Sequence, residues 1–312
     1  MSLAYFLVPI VSQLWVLVAL MLLVGASVAT LDVGCNALLV WVHRRGVGPY
    51  MSAMHFFFGV GAFIGPIIVG QVIGASGKVT GAYWIVAACA LPVAFWLARL
   101  RSPEPEVEGQ GNGRETGAQE PPRLLLGLIV IFAFLYVGAE VAFAGWIFTY
   151  ATRLDMLYGA KAAYLTSLFW GAFTAGRLVG IPVAARFRAQ AILSADLAGC
   201  LLSLGVLLIW PDSLTVVVLS TAGLGIFMAS IFPTLIVWTE RQMTLTGRTT
   251  GWMFTGAGAG GMFLPWLVGQ LFERIGPPVM TWIILVDLLA CALVYAVLVA
   301  YSGSLRRQPR AV

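Results

Sequence analysis

Nine stretches of this chain, at about 13–42, 49–73, 80–100, 124–151, 160–184, 189–209, 213–239, 250–272 and 279–302, are each long and apolar enough to cross a bilayer. A spanning helix needs roughly 20 mostly apolar residues. A soluble protein cannot hide that much apolar surface, whereas a bilayer can accept it. The expected fold is therefore all-α and polytopic. Composition agrees: 60% of the residues are apolar and 10% charged, against about 25% charged in a soluble domain. Residues 1–10 read as the tail of a further helix, broken at Pro9. The segment 101–123 carries Glu104, Glu106, Glu108, Glu115 and Glu120 among many Pro and Gly. It cannot bury a core and reads as a linker. The expected organisation is a helical group over 1–100, the linker 101–123, a second helical group over 124–302 and a polar tail over 303–312.

The net charge of +5 comes from Lys and Arg set singly or in pairs, not on one basic face, so no nucleic-acid partner is expected. Alternate connections carry Arg44 and Arg45; Arg99, Arg101, Arg114 and Arg123; Arg177, Arg186 and Arg188; Arg241 and Arg248; and Arg306, Arg307 and Arg310. That puts fourteen of the eighteen basic residues on one side. The positive-inside rule makes that side cytoplasmic, with the 101–123 linker and the C-terminus. Residue 1 then falls outside with no cleavable signal peptide ahead of it, which suggests a chain lacking its beginning. Cys35, Cys89, Cys200 and Cys291 sit inside apolar stretches without a CxxC pair and read as small hydrophobes. With only His43 and His55 as histidines, no metal site and no cofactor is expected.

The chain also repeats itself. Pro66-Ile-Ile-Val-Gly-Gln71 matches Pro265-Trp-Leu-Val-Gly-Gln270, and Gly59, Gly61 and Gly77 match Gly258, Gly260 and Gly276, all offset by 199 residues. One span earlier, Leu38-Leu-Val-Trp41 matches Leu235-Ile-Val-Trp238, offset by 197, with Arg44 beside Arg241. Spans one to three thus recur as spans seven to nine. Partners for spans four to six would lie upstream, about 75 residues in all if the halves are alike. Two parallel six-helix halves joined by a cytoplasmic linker is the major facilitator architecture; the nine spans would be its helices 4 to 12.

Particular motifs narrow the resemblance. Leu31-Asp-Val-Gly-Cys-Asn36, Met54-His-Phe-Phe-Phe-Gly-Val-Gly-Ala-Phe-Ile-Gly-Pro66, the run Phe134 to Tyr150 and Phe169-Trp-Gly-Ala-Phe-Thr-Ala-Gly-Arg-Leu178 resemble the fucose-permease-like and sodium-dependent glucose transporter-like branch of that superfamily. The resemblance covers essentially the whole chain. It implies uptake of a sugar or related polyol by alternating access, coupled to a cation gradient. It departs at the start, where the family's helices 1 to 3 are absent, and with them an acidic residue of helix 1.

Chemistry in the spans falls on few residues. An ionised carboxylate at the bilayer centre costs roughly 2.5–3.5 kcal/mol. Asp32, about twenty residues into the first span, would there favour its neutral form, which suits a group that takes up and releases a proton; the resemblance implies proton coupling at this position. Its alternative is a structural carboxyl between helices. Asn36 shares its face at i+4 and could hold a hydroxyl of the substrate. His55 matches a sugar-contacting polar position of fucose-permease-like proteins, or is a helix-end His bonded to a carbonyl. Glu140 lies mid-span with Trp146 and Tyr150 further along: a carboxylate and aromatic faces of the kind a hexose site uses, although Trp in membrane proteins commonly packs or sits at the interface. Arg177, with Arg186 and Arg188, resembles the family's cytoplasmic gating segment, or simply sets topology. Asp196 and Asp287 read as helix-packing groups. The glycine runs Gly59-x-Gly61-x-x-x-Gly65 and Gly256-x-Gly258-x-Gly260-Gly261 follow no soluble strand, so they are packing elements rather than dinucleotide loops.

The expectation is a secondary transporter, not an enzyme, in a plasma membrane (the inner membrane if bacterial), with a sugar, a proton or sodium ion and the lipid bilayer as partners. Alternatives are an exporter of another small molecule or a membrane sensor or remnant that keeps the fold without transport.

Overall fold

A computed structural model describes residues 1–43, 47–99, 122–243 and 247–307. Within its helices the side chains at 33, 37, 40, 41, 47–49, 51, 52, 55, 247 and 305–307 are not described. The described residues are helical, in the order α1 (Ser2–Leu7), α2 (Leu14–His43), α3 (Val47–Ser76), α4 (Thr80–Arg99), α5 (Arg123–Arg153), α6 (Ala160–Arg186), α7 (Ala189–Ile209), α8 (Leu214–Met228), α9 (Ile231–Glu240), α10 (Gly247–Ile275) and α11 (Pro278–Arg307). Among the described residues, eight stretches are long and apolar enough to cross a membrane: Leu14–Asn36, Phe56–Ser76, Thr80–Arg99, Arg123–Arg153, Ala160–Arg186, Ala189–Ile209, Leu214–Glu240 and Pro278–Ser304. The eighth expected span, 250–272, lies within the helix α10, but it is not among those eight. Its glycines at 256, 258, 260 and 261 contribute no apolar side chain, so its length exceeds its hydropathy.

The chain forms two compact units, Met1–Arg114 and Glu115–Val312. In the first, α1 packs on α4 and α2, and α3 lies against α2 and α4. The Trp84 indole N–H donates to the Phe6 carbonyl at 3.3 Å, and the two rings stack at 5.6 Å. The break after α1 falls at Pro9, as expected. In the second unit, α5 lies against α10 and α11, α6 against α8, and α7 against α8, α9 and α11. Its core is continuous, with Phe132, Tyr136, Phe143, Ile147, Phe169, Leu204 and Leu288 essentially sealed.

The sequence repeat is also a structural one. Gly77 and Gly276 close α3 and α10 with positive φ, +68° and +102°, the left-handed conformation that glycine adopts without a β-carbon penalty. Their N–H groups donate to Ile73 at 2.8 Å and Phe272 at 2.9 Å, carbonyls related by the same 199-residue offset. Pro66 and Pro265 lie inside the two helices. The repeat departs from symmetry in one place. Whereas α2 runs unbroken, its counterpart is interrupted at Ala229–Ser230 between α8 and α9. Pro233 has no N–H to give the Ala229 carbonyl, and the Ala229 N–H turns tightly onto Ile226 at 3.3 Å. At the 197-residue offset, Asp32 and Asn36 of α2 correspond to Ala229 and Pro233 of this break.

Candidate functional site

Each unit holds its own polar group. In the first, Asn36 lies one turn after Asp32 on α2. Its amide donates to the Asp32 backbone carbonyl at 2.8 Å and to the Asp32 carboxylate at 3.2 Å. The amide thus steadies the carboxylate from its own helix. Sequence reasoning placed Asp32 in a buried setting, but the helices of its own unit leave it exposed and Asn36 half-buried. The reason is sparse packing: the buried apolar side chains of this unit are confined to Ala4, Val8, Val24, Ala82 and Ala87 among the described residues. His55 lies within α3, and its side chain is outside the described ones.

In the second unit the polar group is built around the α8–α9 break. Tyr136, on α5 and 0% exposed, directs its hydroxyl at two acceptors: a carboxylate oxygen of Glu140, one turn along the same helix, and the Met228 carbonyl, 2.7 Å away at the end of α8. Its ring stacks on Phe232 of α9 at 6.4 Å. On the far side of the break, the Ser230 hydroxyl donates to the Asp196 carboxylate of α7 at 2.5 Å. The Tyr136 hydroxyl, backed by the Glu140 carboxylate on its own helix, therefore ties the interrupted helix to α5, and the Asp196 carboxylate ties it to α7. A break in a spanning helix exposes backbone groups that need such partners, and interruptions of this kind recur at transporter binding sites.

Arg177 joins this group from α6. Counted in the sequence with the basic residues of a connection, it lies inside α6, and nine residues of helix follow it. Its guanidinium carbon lies 4.6 Å from the Phe173 ring centroid, the Nε is buried without a hydrogen-bond partner, and its charge acts on Glu140 and Tyr136. Trp146 uses its indole N–H on the Pro265 carbonyl of α10 at 3.0 Å and packs its ring on Phe272 at 4.9 Å. Tyr150 is 1% exposed within the core. The structure thus gathers Glu140 and Arg177 into one cluster, gathers Asp32 and Asn36 into another, and sets Trp146 and Tyr150 into helix packing. Sequence reasoning missed Tyr136, although its i−4 spacing from Glu140 was a signal for it. It also missed the Met228 carbonyl and the Asp196–Ser230 bond, whose partners lie on other helices. Another buried carboxyl, Asp287 of α11, leaves Oδ2 without a partner.

Known proteins place the chain. The sequence profile of the Major Facilitator Superfamily matches residues 1–265. A sodium-dependent glucose transporter 1 from Danio rerio is 30% identical over 303 residues, which is 86% of this chain and 51% of that protein. The counterpart from Xenopus laevis is 29% identical, over 85% of this chain and 60% of that protein. A major facilitator superfamily domain-containing protein 4A from Homo sapiens is 25% identical, over 88% of this chain and 72% of that protein. The chain thus spans about half of one of these relatives and about seven tenths of another. With a family match over most of its length and a helical, multi-pass structure, this chain belongs to the major facilitator superfamily.

Proposed function

We propose that the protein is a secondary transporter, not an enzyme, which moves a monosaccharide or related polyol across a membrane by alternating access and couples that movement to a sodium or proton gradient. The observation that carries this reading is the 30% identity, over 86% of the chain, to a protein named a sodium-dependent glucose transporter. Polar groups inside apolar helices support it, because intramembrane ionisable residues are costly and mark substrate and ion pathways. In this reading Asn36, His55 and Glu140 offer hydrogen bonds to sugar hydroxyls, and Trp146 and Tyr150 shape the apolar side of the site. Asp32 carries the coupling cation, as a proton or as a ligand to sodium. Arg177 gates the cytoplasmic side. The 101–123 segment and the C-terminus face the cytoplasm of a cell whose plasma membrane holds the protein.

Reconstitution into proteoliposomes tests this. Counterflow of labelled glucose and of a panel of monosaccharides and polyols reads substrate class. Accumulation driven by an imposed sodium or proton gradient reads coupling. Saturable, gradient-driven uptake of one sugar is the expected result. Counterflow of other small molecules but no sugar would overturn the substrate class, and silence across the panel would favour a sensor.

A further inference from the structure

The donor count at Tyr136 does not close if Glu140 is ionised. A phenol has one hydrogen, and the Tyr136 oxygen faces two acceptors, the Glu140 carboxyl and the Met228 carbonyl. The carbonyl cannot donate. Both contacts are hydrogen bonds only when Glu140 carries a proton and gives it to the phenol oxygen, while the phenol gives its own to Met228. The phenol is sealed and the carboxyl partly buried, in surroundings where an unmade hydrogen bond costs the full desolvation of the group.

The opposite state also has a waiting partner. Arg177 acts electrostatically on Glu140, yet its Nε is buried with no acceptor. We propose that Glu140 is a proton-binding site that exchanges partners: neutral, it holds Tyr136 and through it the Met228 carbonyl at the α8–α9 break; ionised, it turns to the Arg177 guanidinium and frees the break. The proton leaves to water, and the phenol then donates to Met228 alone. The side chains acting on the Glu140–Tyr136 pair are Arg177 of α6 and Cys200 of α7, with Asp196 acting on Cys200 from its own helix. Glu240 of α9 and Arg248, Glu273 and Arg274 of α10 are not among the groups acting on Glu140, and Asp287 of α11 acts on Cys291 instead. The partner exchange gives the helix break two arrangements biased by one proton, which is what a conformational switch requires. It rests on the transport reading only for the use made of that proton.

Infrared spectroscopy of the whole chain in lipid, without sugar or gradient, tests the site. With carbon-13 glutamate, a protonated-carboxyl band should shift at neutral pH, and it should be missing in Glu140→Gln. The other glutamates lie in 104–120 or at exposed positions, Glu240 and Glu273, so the isotope shift in the wild type decides even if the variant does not fold. Raising pH should remove the band and, at the same midpoint, shift an arginine-label-sensitive guanidinium band. In Arg177→Met the carboxyl band should survive to higher pH. No label-sensitive protonated carboxyl at neutral pH, or its loss with no change at arginine, overturns the proposal. Failure of sugar counterflow with the band present would instead strike the transport reading and leave this site standing.

Discussion

The backbone carbonyl of Phe134 on α5 fills the space that a β-carbon on Gly260 of α10 would occupy. One turn away, a β-carbon on Gly256 would lie 2.7 Å from the Val130 carbonyl oxygen. The two glycines form a small-xxx-small stripe that lets α5 and α10 touch through their backbones, the membrane substitute for a hydrophobic driving force between helices. Gly258, between them, meets nothing within 4 Å. Gly260→Ala is expected to destabilise the second unit by about 1–3 kcal/mol, the usual range for an overpacked contact. Gly258→Ala is the control and should change little. Thermal unfolding of the purified protein in detergent reads both, and equal losses would refute the stripe.

The paired caps allow a symmetrical test. Gly77 and Gly276 both hold positive φ, and a β-carbon there is strained by about 1–2 kcal/mol even though neither position is crowded. Alanine at either should lower stability by that amount, and alanine at both should add, because the sites lie in different units and share no partners. Thermal melts of the two single variants and the double variant check this. A neutral Gly276→Ala would show that the α10 cap does not need the left-handed turn.

Asp32 and Asn36 make a prediction about coupling. If the carboxylate carries the driving cation, Asp32→Asn keeps the shape and the Asn36 contact at the backbone but removes the charge. Sugar exchange across proteoliposomes with equal ion concentrations should persist, whereas accumulation against a gradient should be lost. Both are measured on one preparation with labelled sugar, and gradient-driven accumulation by the variant would sink the assignment.

The spans were legible because a bilayer imposes a single rule, roughly 20 apolar residues with every backbone bond made internally. Residues that meet within one helix were legible too: Asn36 reaches Asp32 at the i+4 spacing. The break between α8 and α9 was not, because the stretch 213–239 is apolar on both sides of it and Pro233 alone does not say whether a helix kinks or parts. The use of the Trp146 indole N–H depends on an acceptor 119 residues away, and no local spacing encodes that. Arg177 could be read as a basic residue of its span, and its contact with Phe173 lies one turn back on the same helix, but the action of its charge on Glu140 of α5 depends on packing between helices.

Asp196 and Ser230 carry the last prediction. Their 2.5 Å hydrogen bond joins α7 to the interrupted helix, and Asp196 is only 8% exposed. Ser230→Ala strips the carboxyl of this partner and should cost about 1–3 kcal/mol, the penalty for a buried acceptor left unpaired. Asp196→Asn keeps a hydrogen-bonding oxygen and should cost less. The pairwise coupling from a double-mutant cycle should fall near 0.6 kcal/mol and no higher than about 1.7, the range measured between membrane helices. A larger coupling would mean that the bond holds the break itself in place, since losing it would then release the Met228 contact with Tyr136 as well. Additive single losses would mean that Tyr136 and Glu140 suffice to hold the break without α7.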